Sequence, residues 1–180
     1  IVIPRYSALP FYKELESDLN CSGSRLINSY EQHQYVADIK NWYYDLKDVT
    51  PETWDDVSII PEEGPFVLKG ETNSMKQLWS THMFAKDKRE AITVAGNLYN
   101  DNLIGSQHIY VRRYVPLVTY MTSLRNLPIT KEFRFFFYKK NVVASGYYWA
   151  NHAEDLQQIP SPKEVPQKLI EYVSGKVSKH

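Results

Sequence analysis

The sequence is poor in cysteine, of which it has one, and it has neither an excess of one charge nor a long apolar run. Because Cys21 cannot form an intramolecular disulfide and no Cys and His residues show zinc-site spacing, the sequence predicts a reducing, cytoplasmic environment. Lys plus Arg and Asp plus Glu each number 21, so no net charge is available to hold a nucleic acid non-specifically. No window approaches the roughly 20 consecutive apolar residues of a membrane span. Neither a nucleic-acid partner nor a membrane is expected.

What is present is an alternation of strand and helix patterns. Short apolar runs in "IVIPRY", "SRLINSY" and "FVLK" predict strands, while "EQHQYVADIKNWYYDLKD", "KDKREAITVAGNLYND" and "SPKEVPQKLIEYVSGKV" predict amphipathic helices. In the second of these helices, the residues expected to face inward are Ile92, Ala95 and Leu98 or Tyr99. "HIYVRRYVPL" predicts a further strand, and "EFRFFFYKKNVVASGYYWA" predicts a hairpin that bends at "KKN". This order predicts an α+β (mixed α/β) fold of two lobes, residues 1–62 and 63–180.

The stretch "GPFVLKGETNS" places a lysine between an apolar strand and a small polar loop. Lys69 either extends its apolar stem to reach solvent or supplies a positive charge to an anionic ligand such as phosphate. Gly70 permits close backbone approach. Donors for phosphate oxygens follow at Thr72, Asn73 and Ser74, although an ordinary polar loop has the same composition. The Walker pattern is absent, so a standard P-loop is not expected.

Arginines stand out in two later strands. In "YVRRYVPL", strand alternation places Arg112 and Arg113 on opposite faces, so at least one is expected to face a cleft or a partner carboxylate. In "KEFRFFF", Arg134 lies among aromatic residues, two positions after Glu132 on the same strand face. Either these two side chains pair with each other, or the guanidinium faces a phosphate or acyl-phosphate oxygen, for which its planar donor fork is suited.

The order of these pieces resembles the ATP-grasp superfamily, most closely the little-characterised ATP-grasp domain proteins of bacteria and their phages. The resemblance runs from about Ala37 to Ala150 and rests on the order of the motifs rather than on sequence identity. It implies a two-lobed ATP-grasp-like fold, with an N-terminal α/β lobe at 1–62 and a nucleotide-binding lobe at 63–180. ATP and Mg²⁺ are the cofactors that it implies.

The resemblance also implies roles for particular residues. The strand lysine would contact the α-phosphate and the adenine side of ATP, and an earlier helix lysine would approach the phosphates. The small polar loop would close over the β- and γ-phosphates, backbone groups after "YVR" would hold the adenine edge, and an arginine would reach the γ-phosphate and the developing acyl phosphate. The strand lysine is Lys69 and the helix lysine is Lys40. The loop residues are Thr72, Asn73 and Ser74, and the adenine-edge residues are Arg113, Tyr114 and Val115; all of these are implied ATP-binding residues. The arginine, Arg134, is the implied catalytic residue.

The sequence departs from the family pattern at two places. The family usually has an acidic pair before the adenine-contacting aromatic residue, where this chain has Arg112 and Arg113, so different ribose and adenine contacts are expected. The Asp and the Glu-x-Asn element that hold magnesium on late strands are not found after the last predicted helix, which leaves the metal ligands unknown. The chain is therefore expected either to lack its last strands or to be inactive.

Three functions remain open at this point. The resemblance implies an ATP-dependent ligase, in which a small-molecule or peptide carboxylate attacks the γ-phosphate and an amine displaces phosphate from the resulting acyl phosphate. The alternative is a non-catalytic nucleotide-binding or sensing domain. A covalent nucleotidyltransferase such as a nucleic-acid ligase ranks third, because Lys69 is followed by Gly-Glu-Thr and so does not begin the Lys-x-Asp-Gly pattern of those enzymes.

Overall fold

The computed structural model describes residues 1–4, 11–123, 126–150 and 165–177, and these residues form a mixed helix and sheet structure. The helices are α1 (Tyr12–Cys21), α2 (Tyr30–Ala37), α3 (Ile39–Trp42), α4 (Trp79–His82), α5 (Lys88–Tyr99) and α6 (Gln167–Val177). The strands are β1 (Thr53–Trp54), β2 (Glu63–Gly70), β3 (Phe84–Asp87), β4 (Ile109–Arg113), β5 (Thr119–Thr122), β6 (Pro128–Thr130), β7 (Phe133–Tyr138) and β8 (Asn141–Tyr147). The mixed α and β fold class predicted from the sequence is confirmed. Within the described ranges, no helix is long and apolar enough to cross a bilayer.

A four-stranded sheet in the order β1-β4-β2-β3 lies at the centre of the structure, and each neighbouring pair of strands is antiparallel. The helix α5 packs against one face of this sheet. In β2, Phe66 and Leu68 are fully buried on the helix side. Because side chains alternate along a strand, Val67 and Lys69 point to the opposite face. The register pairs these two residues with Arg112 and Tyr110 of β4, so the second face of the sheet carries several polar side chains.

The buried face of α5 agrees with the sequence prediction in part. The side chains that it buries are Ala91, Val94, Ala95 and Leu98, which follow the i, i+3, i+4, i+7 spacing of a single helical face. Ala95 is thus confirmed as inward-facing, whereas Ile92 is 54% exposed, so the inward prediction was wrong for Ile92. Of the two alternatives Leu98 and Tyr99, Leu98 is the buried one, and Tyr99 is 59% exposed. The small side chains on the buried face allow the helix to lie close to the sheet.

Two further antiparallel pairs, β5–β6 and β7–β8, follow the central sheet. The β7–β8 hairpin turns at Lys139 and Lys140, which both adopt positive φ, so the bend predicted at "KKN" is confirmed. A small core under the hairpin includes Ile129, Tyr147 and Trp149. This core attaches the hairpin to β6, opposite the polar face of the central sheet.

The N-terminal part differs from the sequence prediction in its regular structure. In the described residues of the two predicted strands, which exclude positions 5 and 6, the pairing is a single parallel bridge between Val2 and Leu26. The predicted helix "EQHQYVADIKNWYYDLKD" is broken at Asp38, which is extended and whose carboxylate accepts the backbone N–H of Lys40 at 3.1 Å, beginning α3. The predicted division between residues 62 and 63 stays a prediction, although β1, on its N-terminal side, pairs with β4.

Candidate functional site

A cleft of about 1040 Å³ lies between the polar face of the central sheet and the β7–β8 hairpin. One wall is formed by β2, β4 and the loop after β2, and the facing wall by β6 and the two ends of the hairpin that lie next to it. Seven of the nine residues predicted to bind or act on ATP line this cleft: Lys69, Thr72, Ser74, Arg113, Tyr114, Val115 and Arg134. The volume is in the range of pockets that hold small molecules and cofactors.

Three cations lie together on the sheet wall. Lys69 ends β2, Arg112 lies on the neighbouring strand β4, and Lys76 follows the intervening polar loop. Burial, and then the charges of Arg112 and Lys76, hold the pKa of Lys69 below its usual value. Burial also lowers the pKa of Arg112, whose Nε donates to Thr53 Oγ1 at 3.2 Å. Three partly buried cations that repel one another form a site suited to an anion.

No described carboxylate lies within 4 Å of these three cations. Arg113, in contrast, is engaged: its Nη1 donates to the Glu63 carbonyl at 2.8 Å, and its Nη2 lies 3.8 Å from Glu52. The adjacent arginines therefore divide as strand alternation predicts, with Arg112 directed to the cleft cluster and Arg113 held by a partner carboxylate. The sheet wall presents positive charge that the described part of the chain does not neutralise.

The facing wall contributes one cation and several aromatic rings. The guanidinium carbon of Arg134 lies 4.4 Å from the ring centroid of Tyr148, at the end of the hairpin. Glu132 forms no ion pair with Arg134 among the described contacts; its Oε2 accepts from Trp149 Nε1 at 2.9 Å and from the Thr130 hydroxyl. Of the two interpretations of "KEFR", the structure thus disfavours the Glu132–Arg134 pair. Arg134 is left exposed on the wall opposite the cation cluster.

The polar loop after β2 is anchored at its first half. Thr72 donates its backbone N–H to Gln107 Oε1 at 3.1 Å, and its hydroxyl lies 3.3 Å from the same oxygen. A Cβ built on Gly70 would lie 2.6 Å from this oxygen, so any side chain at this position would displace the end of Gln107 that Thr72 contacts. Of the three loop residues predicted to bind phosphate, Thr72 and Ser74 line the cleft and Asn73 does not.

The cleft is also lined by aromatic and aliphatic side chains, among them Tyr114. Tyr114 makes edge contacts with Phe84 at 5.4 Å and with Trp79 at 6.3 Å between ring centroids. The backbone N–H of Arg113 donates to the Glu52 carbonyl and that of Tyr114 to the Pro65 carbonyl, so both are already used. Val115 N–H donates to no described backbone acceptor. Of the three residues predicted to hold an adenine edge, Val115 is the one whose backbone N–H has no acceptor within the described part of the chain. The apolar side chains that line the cleft include Val67, Trp79, Met83, Leu117 and Leu127.

Lys40 lies outside the cleft. It lines a second pocket of about 280 Å³, in which its Nζ lies 3.2 Å from Asp38 and 4.0 Å from Glu71. The hydrogen bond and the charge of Asp38 raise the pKa of Lys40, so the ammonium already has local anionic partners. The expectation that Lys40 approaches the phosphates stays a prediction, and the structure does not bring Lys40 together with the other predicted residues.

Sequence reasoning missed two contributors to the cleft, Lys76 and Tyr148. Lys76 Nζ lies 4.0 Å from the Tyr148 ring centroid and contacts its hydroxyl. These residues are separated by 72 positions, and neither belongs to a recognisable motif. The adjacent arginine pair was a usable signal for Arg112, whereas the sequence contains no corresponding signal for Lys76.

The described residues do not fit the magnesium site that the resemblance implies. No three His, Cys, Asp or Glu side chains of the described ranges cluster so as to hold a metal ion. Of the two carboxylates in the cleft, Glu132 is engaged by Thr130 and Trp149, and Asp48 is paired with Lys176.

Comparison with known proteins shows what this arrangement resembles. No protein-family model matches the sequence, and no curated protein matches it. The structure is similar to the RimK domain ATP-grasp protein from Sphaerobacter thermophilus, with 13% identity and a TM-score of 0.59, over 98% of this chain and 61% of that protein. It is also similar to D-alanine–D-alanine ligase from Helicobacter pylori, with 13% identity and a TM-score of 0.54, over 93% of this chain and 50% of that enzyme. The chain thus spans between half and three-fifths of the length of these structures, and its fold is ATP-grasp-like.

Proposed function

We propose that the cleft binds the triphosphate of ATP and that the chain is the nucleotide-binding part of an ATP-dependent carboxylate–amine ligase. The observation that carries this proposal is the group of Lys69, Lys76 and Arg112 on one wall, with Arg134 on the wall across from it. Burying cations next to one another is unfavourable unless an anion joins them. A triphosphate supplies several negative charges along a length suited to such a cluster.

The apolar side chains that line the cleft support the same ligand. An adenine ring is flat and apolar on its faces, and Trp79, Met83 and Leu127 offer an apolar surface for it. Val115 N–H is available to donate to a ring nitrogen at the adenine edge. The nucleotide would then lie along the cleft, with its base near Tyr114 and its phosphates near Lys69.

The ligase reaction is supported by the fold neighbours rather than by any single residue. One neighbour is a D-alanine–D-alanine ligase and the other a RimK domain ATP-grasp protein. In the proposed reaction, a substrate carboxylate oxygen attacks the γ-phosphorus, the bond to the β-phosphate oxygen breaks, and ADP leaves. An amine then attacks the acyl phosphate, and phosphate departs as the amide forms. We propose small-molecule or peptide carboxylates and amines as substrates, and the cytoplasm as the location.

In this reaction the side chains of the chain act by charge and position. Lys69, Lys76 and Arg112 would neutralise the phosphate oxygens, which lowers the repulsion that an incoming carboxylate meets. Arg134, on the facing wall, has the planar donor fork that suits the γ-phosphate oxygens as charge builds during transfer. None of these residues is proposed to form a covalent bond with the substrate.

Calorimetric titration of the chain with ATP tests the proposal. We expect Lys69→Met to weaken ATP binding by about tenfold or more, because it removes one charged contact to phosphate while keeping the length of the side chain. Lys13→Met, which removes an exposed lysine from α1 outside the cleft, is the matched control and should bind ATP like the parent. Equal ATP affinity of a folded Lys69→Met variant and the parent would refute the proposed site.

The ligase part has its own assay. ADP release is measured with magnesium and ATP in the presence of a panel of D- and L-amino acids and dipeptides. Release that depends on an added carboxylate supports a ligase. Tight ATP binding with no ADP release under any of these conditions would instead support the non-catalytic nucleotide-binding alternative.

A further inference from the structure

Tyr148 occupies an unusual position between the two walls of the cleft. Its ring centroid lies 4.0 Å from Lys76 Nζ, which belongs to the sheet wall, and 4.4 Å from the guanidinium carbon of Arg134, which belongs to the hairpin wall. The same ammonium contacts the Tyr148 hydroxyl and lies 5.1 Å from the ring centroid of Trp149. One half-buried aromatic side chain therefore contacts cations from both walls.

These contacts matter because the two cations have no described carboxylate within 4 Å. Like charges brought together across a cleft repel one another, and long side chains without partners sample many rotamers. The electron-rich face of a tyrosine attracts both an ammonium and a guanidinium. Tyr148 can therefore hold Lys76 and Arg134 near one place although they repel each other.

Trp149 and Glu132 fix the position of this ring. Trp149 is 5% exposed, and its Nε1 donates to Glu132 Oε2 at 2.9 Å. The rings of Tyr148 and Trp149 meet edge to face, with centroids 4.9 Å apart. The tyrosine thus belongs to the small core beneath the hairpin and is less free to move than an isolated surface side chain.

We propose that Tyr148 is a positioning residue for the phosphate end of the nucleotide, holding Lys76 and Arg134 together before the phosphates bind. This inference rests on the proposed function. Preorganised cations spend less conformational entropy when a ligand arrives, so Tyr148 increases affinity without being a phosphate ligand itself. Because Lys76 and Arg134 are the cations proposed to contact the outer phosphates, the effect is expected chiefly for nucleotides that carry those phosphates.

The test is a comparison of ATP and AMP affinities by calorimetry in the full chain. Tyr148→Leu removes the aromatic face, and we expect it to weaken ATP binding by about threefold to tenfold. AMP affinity should change by less than about twofold, since AMP does not reach the outer phosphate positions. Tyr148→Phe keeps the ring and loses only the hydroxyl contact, so it should recover most of the ATP affinity that the leucine variant loses.

A double-mutant cycle separates positioning from a general structural role. In a Lys76→Ala background, Tyr148→Leu should cost clearly less ATP affinity than it does in the parent, because one of the two positioned cations is gone. Equal losses for ATP and AMP would show damage to the whole cleft and overturn the inference. The same conclusion follows if the two substitutions are fully additive for ATP.

The design distinguishes failure of this inference from failure of the proposed function. If the parent binds neither ATP nor AMP, the proposed function fails and the inference fails with it. If the parent binds ATP but Tyr148→Leu shows no loss specific to ATP, only the positioning role is overturned. Should the leucine variant not fold, the cycle is run with Tyr148→Met, which also removes the aromatic face: an ATP-specific loss supports the role, and either no loss or equal losses for ATP and AMP overturn it.

Discussion

At the scale of single residues, the environment of Lys69 is the most informative feature of the molecule. A strand-end lysine ordinarily extends to water or pairs with a carboxylate. Lys69 instead lies in the electrostatic field of Arg112 and Lys76, and its pKa is lowered by burial first and by these two charges second. Such a residue reduces the stability of the folded chain, and this arrangement is typical of side chains kept for binding rather than for folding.

This environment predicts a pH-dependent effect of Lys69→Met on stability. Because the pKa of Lys69 is lower in the folded than in the unfolded chain, only the unfolded chain binds this proton in the window between the lowered value and about 10.5. The stability of the parent therefore rises with pH in that window relative to the variant. We expect Lys69→Met to be more stable than the parent at pH 7, with the difference shrinking as the pH approaches 10.5.

Thermal or urea unfolding across pH 7 to 10 measures this difference. Lys13→Met is again the control: Lys13 is exposed, so its replacement should leave stability the same at each pH. A parent that is more stable than Lys69→Met at neutral pH in the absence of nucleotide would contradict the proposed environment of this lysine.

Gly70 predicts a second effect at this scale. A Cβ at this position would lie 2.6 Å from Gln107 Oε1 and 3.0 Å from Ile104 Cγ2, and Ile104 is fully buried. We expect Gly70→Ala to destabilise the chain by about 1–3 kcal/mol and to release Thr72 from Gln107. The matched control is Gly96→Ala in α5, where a Cβ meets nothing within 4 Å.

Urea denaturation of the two alanine variants checks this prediction. Gly96→Ala should stabilise the chain by about 0.5–1 kcal/mol, because alanine is the better helix former. Should both alanine variants unfold at higher urea than the parent, the close approach of Gln107 to Gly70 would be disproved.

At the scale of elements, the turn of the β7–β8 hairpin has a backbone conformation that is energetically unfavourable for the two residues that form it. Lys139 and Lys140 have φ values of 48° and 69°, a region that disfavours residues with a Cβ. Replacing them by Asn and Gly, the residues preferred in such two-residue turns, should raise the free energy of unfolding by about 1 kcal/mol. Neither lysine lines the cleft, so ATP affinity should stay at the parent value.

A paired measurement of unfolding and of ATP binding tests the hairpin prediction. The reverse order, Lys139→Gly with Lys140→Asn, is a composition-matched control and should stabilise the chain less. A double variant that is less stable than the parent, or that binds ATP differently, would show that this turn does not have the described geometry or is coupled to the cleft.

The elements also show where sequence patterns are sufficient and where they fail. The hairpin was predictable because its turn residues and the strand patterns on both sides of them are adjacent in the sequence and indicate the same structure. The break between α2 and α3 was not, since the apolar spacing continues through Asp38. The break follows from tertiary contacts: Asp38 is 5% exposed, and its Oδ1 lies within reach of the distant Tyr110 hydroxyl at 3.4 Å. Strand β3 was missed because its four residues form a strand through pairing with β2.

At the scale of the whole molecule, the order of the motifs was enough to predict an ATP-grasp-like fold, which the similarity to two solved structures confirms. The gathering of Lys69 and Arg134 at one cleft was also expected from that order. The partners Lys76 and Tyr148 could not be predicted, because a contact across 72 positions depends on how the hairpin docks against the sheet. Local patterns contain no information on that docking.

A crystal structure of the chain with a non-hydrolysable ATP analogue would show whether the nucleotide binds in the cleft between the β2–β4 wall and the hairpin. We predict the phosphates within about 3 Å of Lys69 Nζ and the Arg112 guanidinium, with the outermost phosphate next to Lys76 and Arg134 and the base beside Val115. An analogue bound instead in the pocket of Lys40 and Glu71, or on a surface away from the β2–β4 wall, would contradict this prediction.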